Sequence, residues 1–358
     1  MNTQVVPFSQ LTTEQIALWG EMQQTNPELV SPYFTPEFAQ HVARVRDDVE
    51  VALLREGSEV VGFFPFQRTM WGVAKPVGGR LSDYHGVIAR EGLDFSPTKM
   101  LRDCKLSAFE FDHLVASQKA WKPFHADLKP SPTIDVSEGF ESYLENRRAD
   151  NARLMTDSLK KEDRLTRQVG PLTFEWNTTE DAVLQLLFQW KSAQYNATGV
   201  TDIFSFDWTR KLIENIWKQG NSPQFSGVMC TLRAADRVVA MHFCMRSGST
   251  LHSWFPAYDV DAAKHSPGLV LLTQMARHAN QHGVHRIDLG KGDEQYKRSY
   301  ANSEAMVAEG IVESHPFRSV IRKGWTTTRD LVKNSPLAGP ARAPVRWLRR
   351  MREWLSMK

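Results

Sequence analysis

Ser266, Pro267, Gly268 and Leu269 stand where a loop enters an apolar run, and their types suit an anion. Serine can cap a helix, proline presets its first turn without wasting an N–H, and glycine lets a phosphate approach the backbone. The positive end of the helix dipole, with Lys264 and His265, would add charge. The same residues also suit a well-capped structural helix. His242, between Met241 and Phe243, is either a proton acceptor near neutral pH or a hydrogen-bonded core histidine. On alternating geometry it shares a face with Ala240 and Cys244. His252 is the weaker candidate. Asp288 ends an apolar stretch before Gly290, Lys291, Gly292 and Asp293; a carboxylate there can orient a histidine or bind an acceptor hydroxyl. Asp293 equally suits a cap for the short helix after it. Tyr296, Lys297 and Arg298 form an aromatic-basic cluster fit for a phosphate, or a solvated surface. Asp83, Tyr84 and His85 follow a Gly-rich loop and can line a cleft between two units. Asp112 and His113 are as well explained by a turn or a buried pair.

The elements that must position these residues follow from local signals. Thr12-Thr13-Glu14 and Thr35-Pro36-Glu37 read as helix starts. Residues 49–54 and 60–66 read as a hairpin across Glu56-Gly57-Ser58. Leu54-Arg55, four residues, then Val60-Val61-Gly62 recurs 178 positions later as Leu232-Arg233, four residues, then Val238-Val239-Ala240. That repeat implies two copies of one αβ unit, or two hairpins alike by chance. The charged stretch 139–168 predicts a helix or helix pair that Gly170-Pro171 stops. Beyond it the expected order is a strand at 172–176, helices at 183–195 and 208–217, and strands at 227–232, 238–246 and 250–256. A helix at 269–279 closing near Gly283 and a strand at 286–289 complete it. Strands alternating with helices in both halves predict an α/β (α+β) fold. The expected division is 1–136, a connector at 137–170, a second unit at 171–316 and a tail at 317–358.

The 358 residues, 41% of them apolar and 24% charged, describe an ordinary globular chain long enough for two domains. Three scattered cysteines exclude a disulfide framework or a zinc cluster. No stretch of roughly 18 apolar residues suggests a spanning helix, and the start lacks a signal pattern. The expected setting is cytoplasmic. The net charge of +3 conceals an asymmetry: the tail holds eleven Lys or Arg against Asp330 and Glu353, or +9, and leaves −6 for the body. Trp347, Leu348, Met351, Trp354 and Leu355 fall on one helical face in that tail. It suits contact with an anionic membrane at its inner face, with a synthase complex, or with the body itself. No aromatic-basic patch elsewhere supports nucleic-acid binding.

Three further stretches carry a resemblance: Val238-Val239-Ala240-Met241-His242-Phe243, Trp254-Phe255-Pro256-Ala257-Tyr258-Asp259, and Asp288-Leu289-Gly290-Lys291-Gly292-Asp293-Glu294-Gln295-Tyr296-Lys297-Arg298. With Ser266 to Leu269 they resemble the GNAT superfamily of acyltransferases, in its CelD-like branch linked to bacterial cellulose and exopolysaccharide synthesis. Gly62-Phe63-Phe64-Pro65-Phe66-Gln67-Arg68 and Leu81-Ser82-Asp83-Tyr84-His85-Gly86 extend the likeness to the first half. Fem-type peptidyltransferases, which also hold two GNAT-like units and use charged tRNA, are similar at greater distance. The resemblance implies two tandem GNAT-like units with mixed, largely antiparallel sheets and flanking helices. It implies acyl-CoA, acetyl-CoA above all, as co-substrate over Ser266, Pro267, Gly268 and Leu269, with no metal. His242 would be the base, with Asp288 helping to orient it or the acceptor. Asp83, Tyr84, His85, Tyr258, Asp293, Tyr296, Lys297 and Arg298 would face a sugar-derived acceptor, attacked directly without a covalent acyl-enzyme. Many GNAT enzymes bind the CoA pyrophosphate with an Arg/Gln-x-x-Gly-x-Gly/Ala loop; here Lys264-His265-Ser266-Pro267-Gly268-Leu269 offers one glycine. The alternatives are Fem-like transfer from aminoacyl-tRNA and a non-catalytic subunit of a polysaccharide synthase.

Overall fold

The structure, a computed structural model, describes residues 1–150 and 153–315. The expected basic tail and its apolar helical face lie outside the described residues. The first half opens with β1 (Asn2–Pro7) and α1 (Thr13–Thr25). Thr12 Oγ1 accepts the Gln15 N–H and the Gln15 side chain accepts the Thr12 N–H, so a capping box starts α1. In α2 (Pro36–Ala43), Thr35 caps and Pro36 takes the first turn. Next come β2 (Val49–Glu56), β3 (Glu59–Arg68), β4 (Val73–Lys75), β5 (Ile88–Ala89), α3 (Pro97–Asp103), β6 (Ala108–Val115) and β7 (His125–Asp135). The charged stretch folds into α4 (Phe140–Ala149) and α5 (Arg153–Gln168).

The second half holds β8 (Leu172–Glu175), α6 (Asp181–Thr198), α7 (Asp207–Lys218), β9 (Ser226–Ala234), β10 (Arg237–Ser247) and β11 (Thr250–Tyr258). It ends with α8 (Pro267–His278), β12 (Arg286–Asp288), α9 (Gln295–Tyr300) and β13 (Ser303–Glu313). The repeated sequence marks matching hairpins. β2 pairs β3 and β9 pairs β10, both antiparallel, and each ladder slips register once within the repeat.

All these strands join one sheet, ordered β1-β2-β3-β4-β6-β13-β7-β12-β11-β10-β9-β8, with β5 on β3. β4–β6 and β11–β12 are parallel; the remaining ladders are antiparallel. The fold is mixed α/β. Its centre is built by exchange: β7, from the first half, lies between β13 and β12, while β13, from the second, lies against β6. One hydrophobic cluster therefore spans both halves, with Trp19 and Phe38 of α1 and α2 in it alongside Leu187 and Leu212 of α6 and α7. The Trp254 indole, buried at this seam, donates to the Leu81 carbonyl at 3.0 Å. A second cluster lies under α4, α5 and α8, and a third under α3. Among the described residues no helix is long and apolar enough to cross a membrane.

Candidate active site

The site begins where two parallel strands part. β11 and β12 pair only at Thr250–Arg286, Leu251–Ile287 and His252–Asp288. After Asp288 the chain turns to β7, with the Leu289 and Gly292 N–H groups donating to Pro132 and Pro130 carbonyls at 2.9 and 3.1 Å. β11 instead runs on to Tyr258 beside β10, with a bulge: Phe255 faces Phe243 and Ser253 faces Cys244, so Trp254 is the extra residue. Bulges re-aim side chains and end pairing, which is what the divergence requires.

His252 sits at the fork and is fully buried. Its Nε2 lies 3.0 Å from Asp83 Oδ2 and its Nδ1 3.6 Å from Asp288 Oδ2. Burial alone would depress the imidazole; the two carboxylates outweigh it and hold the ring at about 9. Burial likewise disfavours ionised Asp83 and Asp288, yet the His252 hydrogen bond to Asp83, and the His252 charge facing both, bring both below the usual carboxylate range. Asp288 Oδ1 also accepts the Ser131 hydroxyl at 3.1 Å and the Gly290 N–H at 2.8 Å. That turn needs glycine: Gly290 has φ +73°. Tyr33 and Tyr84 set ring edges against His252, with centroids 5.0 and 6.1 Å away. Burial, with the nearby carboxylates, keeps both tyrosines as phenols.

Further imidazoles and carboxylates extend the trio along the first half. His113 Nε2 is 3.7 Å from Asp83 Oδ1, and its Nδ1 is 2.9 Å from Asp112 Oδ1. His85 Nε2 reaches the same Asp112 oxygen at 3.0 Å. The backbone fixes this geometry, because His85 N–H donates to the His113 carbonyl and Val115 N–H to the His85 carbonyl. Among the described residues His85, Asp112 and His113 form the group whose donor atoms lie close enough to share a cation, within 4.8 Å of one another. Hydrogen bonds within the group account for its geometry without an ion. Asp83 keeps partial contact with solvent, its side chain 28% exposed, whereas His252 has none.

Ser266 has φ +53° at the entry to α8, and its side chain makes no cap bond. The expected side-chain cap is absent because Ser266 lies in the left-handed region rather than in the extended conformation that aims an N-cap hydroxyl at the first turn; its backbone carbonyl takes the Leu269 and Val270 N–H groups at 3.0 and 3.3 Å. Pro267 occupies the first turn, and a Cβ on Gly268 would lie 3.7 Å from the half-exposed Tyr258 ring. His265 is buried beside this entry, with its Nδ1 unpartnered.

His242 is buried with Nε2 2.7 Å from Ser253 Oγ. Burial, then the charges of Lys191 and His252, push its ring down to about 3. Of the two roles expected of Asp288, orienting His242 or the acceptor, no contact with His242 is formed: Asp288 bonds Ser131 and the Gly290 N–H and faces His252. The physical reason is the fork, which sets Asp288 opposite His252 in register. Asp293 does not cap α9; its carbonyl and carboxylate take the Arg298 guanidinium at 2.6 and 3.2 Å. Lys297 is no surface charge. It is buried and donates to the Gly290 and Lys291 carbonyls at 3.2 and 2.9 Å, locking the turn below Asp288. Tyr296, partly buried, packs on the second cluster. The structure therefore joins Asp83, Tyr84, His85 and Asp288 in one place and leaves His242 bonded apart from them. On residue type His252 is the weaker candidate and Asp112-His113 a turn or a buried pair; Ser131 and Tyr33 carry no local signal, and only cross-strand register pairs His252 with Asp288.

Residues 153–298 match the family model described as an acetyltransferase (GNAT) domain. Over that stretch, less than half of the chain, the sequence is similar to a GNAT-type acetyltransferase domain. Solved structures of the same fold include FemX, with TM-score 0.57 and 10% identity over 90% of this chain and 99% of that one. The C-terminal domain of a putative lysylphosphatidylglycerol synthetase from Agrobacterium fabrum aligns at TM-score 0.50 and 13% identity, over 89% and 97% of the two chains. L-PGS from Bacillus licheniformis aligns at 0.50 and 11%, over 84% and 91%. At such identities the likeness is one of fold. No curated protein sequence matches significantly.

Proposed function

We propose that this GNAT-type domain moves an acyl group, acetyl in the first instance, from acyl-CoA to a sugar-derived acceptor held at the seam between the halves. The observation that carries the reading is the Asp83–His252–Asp288 trio, drawn from both halves, at the point where β11 and β12 part. The donor would enter over Ser266 to Leu269 and run along the edge that β11 exposes beyond His252. At the seam, Asp83 is the member of the trio open to solvent. Its carboxylate, aimed by the His252 N–H, accepts a hydrogen bond from the acceptor and orients it for attack on the thioester carbon. The carbon–sulfur bond breaks as the new acyl bond forms, and the acceptor's proton ends on the departing thiol. His242 is a poor base here, since its ring gains a proton only under strongly acidic conditions. The sugar acceptor and a place in cellulose or exopolysaccharide synthesis are supported by the sequence resemblance alone. Calorimetry with acetyl-CoA and longer acyl-CoAs tests the donor: absence of binding to every one overturns the reading.

A second reading, aminoacyl transfer from charged tRNA, is favoured by one observation: the fold matches FemX over nearly the whole of both chains. Incubation with labelled aminoacyl-tRNA separates the two, because only this reading predicts label leaving the tRNA while acyl-CoA stays intact.

A further inference from the structure

We propose that His85, Asp112 and His113 form a binding site for one divalent ion of the zinc class, beside the trio and apart from the acyl donor. His85 Nε2, Asp112 Oδ1 and His113 Nδ1 lie within 4.8 Å of one another. The two nitrogens stand 3.0 and 2.9 Å from the shared oxygen. A tetrahedral zinc ion with bonds of about 2.0–2.2 Å spaces its ligands roughly 3.3–3.5 Å apart, so each nitrogen need draw back from the oxygen by only about 0.3–0.6 Å. Two imidazoles with one carboxylate select a late first-row ion over Mg2+ or Ca2+, which take oxygen ligands. Hydrogen bonds hold the group together when its protons point inward; the ion takes the place of those protons.

The outer ring nitrogens point to an ion independently. The Ser82 hydroxyl donates to the Tyr84 carbonyl at 3.1 Å, so Ser82 Oγ can only accept from His85 Nδ1, 3.4 Å away. His113 Nε2 faces Asp83 Oδ1, an acceptor, at 3.7 Å. Neutral rings that keep their protons on these outer nitrogens turn three lone pairs toward one another at the centre. A cation there satisfies all three and leaves both outer N–H groups with their partners, the arrangement that metal-bound histidines adopt. The frame is fixed as well: Lys291 Nζ donates to the Asp112 carbonyl at 2.8 Å and to Glu309 at 2.9 Å. The His85 side chain, 1% exposed, forms the floor, and that of Asp112, 62% exposed, opens a fourth position to solvent. The ion acts on transfer through Asp83. His252 takes Asp83 Oδ2, and an ion-bound His113 aims its Nε2–H at Oδ1, the oxygen left to the acceptor, so occupancy opposes acceptor binding. That consequence rests on the proposed role of Asp83; the site itself does not.

The test is calorimetry of the chelator-treated full chain with ZnCl2, with Co2+ absorption as a second readout. The expected result is one Zn2+ per chain, a melting temperature raised by Zn2+, and no binding of Mg2+ or Ca2+ at the same concentrations. Co2+ should give the visible bands of a four-coordinate site. Asp112→Asn and His113→Gln should each weaken Zn2+ binding at least about a hundredfold, and Asp83→Asn about tenfold, because it removes only an outer hydrogen-bond partner. His85 is left in place, since its burial would confuse lost binding with lost folding; the melting temperature without Zn2+ checks that the variants fold. A chain that binds no Zn2+ stoichiometrically overturns the proposal. So does Zn2+ binding that Asp112→Asn and His113→Gln leave undiminished, as an ion held by other histidines would be. Neither outcome involves acyl-CoA, so failure here is distinct from failure of the donor reading.

Discussion

His252 should titrate near 9 and tie the stability of the fold to alkaline pH. Its folded value lies above the ordinary 6.5, so its ion pairs contribute fully below about 6.5, and the contribution is lost as pH rises through about 9. A rise from 6.5 to about 9 corresponds to roughly 3–4 kcal/mol at about 1.4 kcal/mol per unit, of which about 3 falls between pH 6.5 and 9.5. Against a total stability of roughly 5–15 kcal/mol, that share is large enough to measure. Asp83 and Asp288 act at the other end: their depressed values contribute above the usual carboxylate range and are lost in acid. Urea unfolding at pH 6.5 and pH 9.5 should therefore show a loss of about 3 kcal/mol at the higher pH. NMR titration of the His252 ring, assigned through His252→Gln, reads the ionisation directly. Asp83→Asn removes one of the two carboxylates, so the His252 value should fall by roughly 1–3 units and the alkaline loss should shrink with it. A His252 ring that titrates at or below 6.5, or an alkaline loss unchanged in Asp83→Asn, would refute the account of the trio.

Further perturbations read the same site from other sides. Asp83→Asn should leave acetyl-CoA affinity in calorimetry unchanged and lower transfer about a hundredfold or more, since it touches the acceptor side alone; weakened donor binding would contradict that separation. Gly290→Ala forces a side chain into φ +73° beneath Asp288 and should cost about 1–2 kcal/mol in thermal unfolding. Trp254→Phe removes the indole bond to Leu81 across the seam and should cost about 1 kcal/mol, measurable by urea denaturation. Lys297→Met frees the Gly290 and Lys291 carbonyls; it should reduce kcat more than it changes acyl-CoA affinity, because the turn it locks carries Asp288.

Much of the local structure was legible because its causes are local. Thr12 and Thr35 start α1 and α2, the hairpin repeat marks β2–β3 and β9–β10, and Gly283 closes the run after α8. The long strands β6, β7 and β13 escaped notice, since their pairing partners lie far away along the chain. Asp83-Tyr84-His85 and Asp288 to Arg298 stood out as chemistry on residue type alone, and the two segments do meet. The burial of Lys297 was not legible, because spacing reports which residues are basic, while burial follows from what packs over them.

From the sequence by itself came the residue types, the caps and turns, and the two like hairpins β2–β3 and β9–β10, all set by interactions within a few residues. Tertiary structure decided which carboxylate meets which histidine. Asp83 and His252 stand 169 positions apart, and only the exchange of β7 and β13 at the centre of the sheet brings the halves close enough for a 3.0 Å bond. Register then did the rest: the fork opposes His252, not His242, to Asp288.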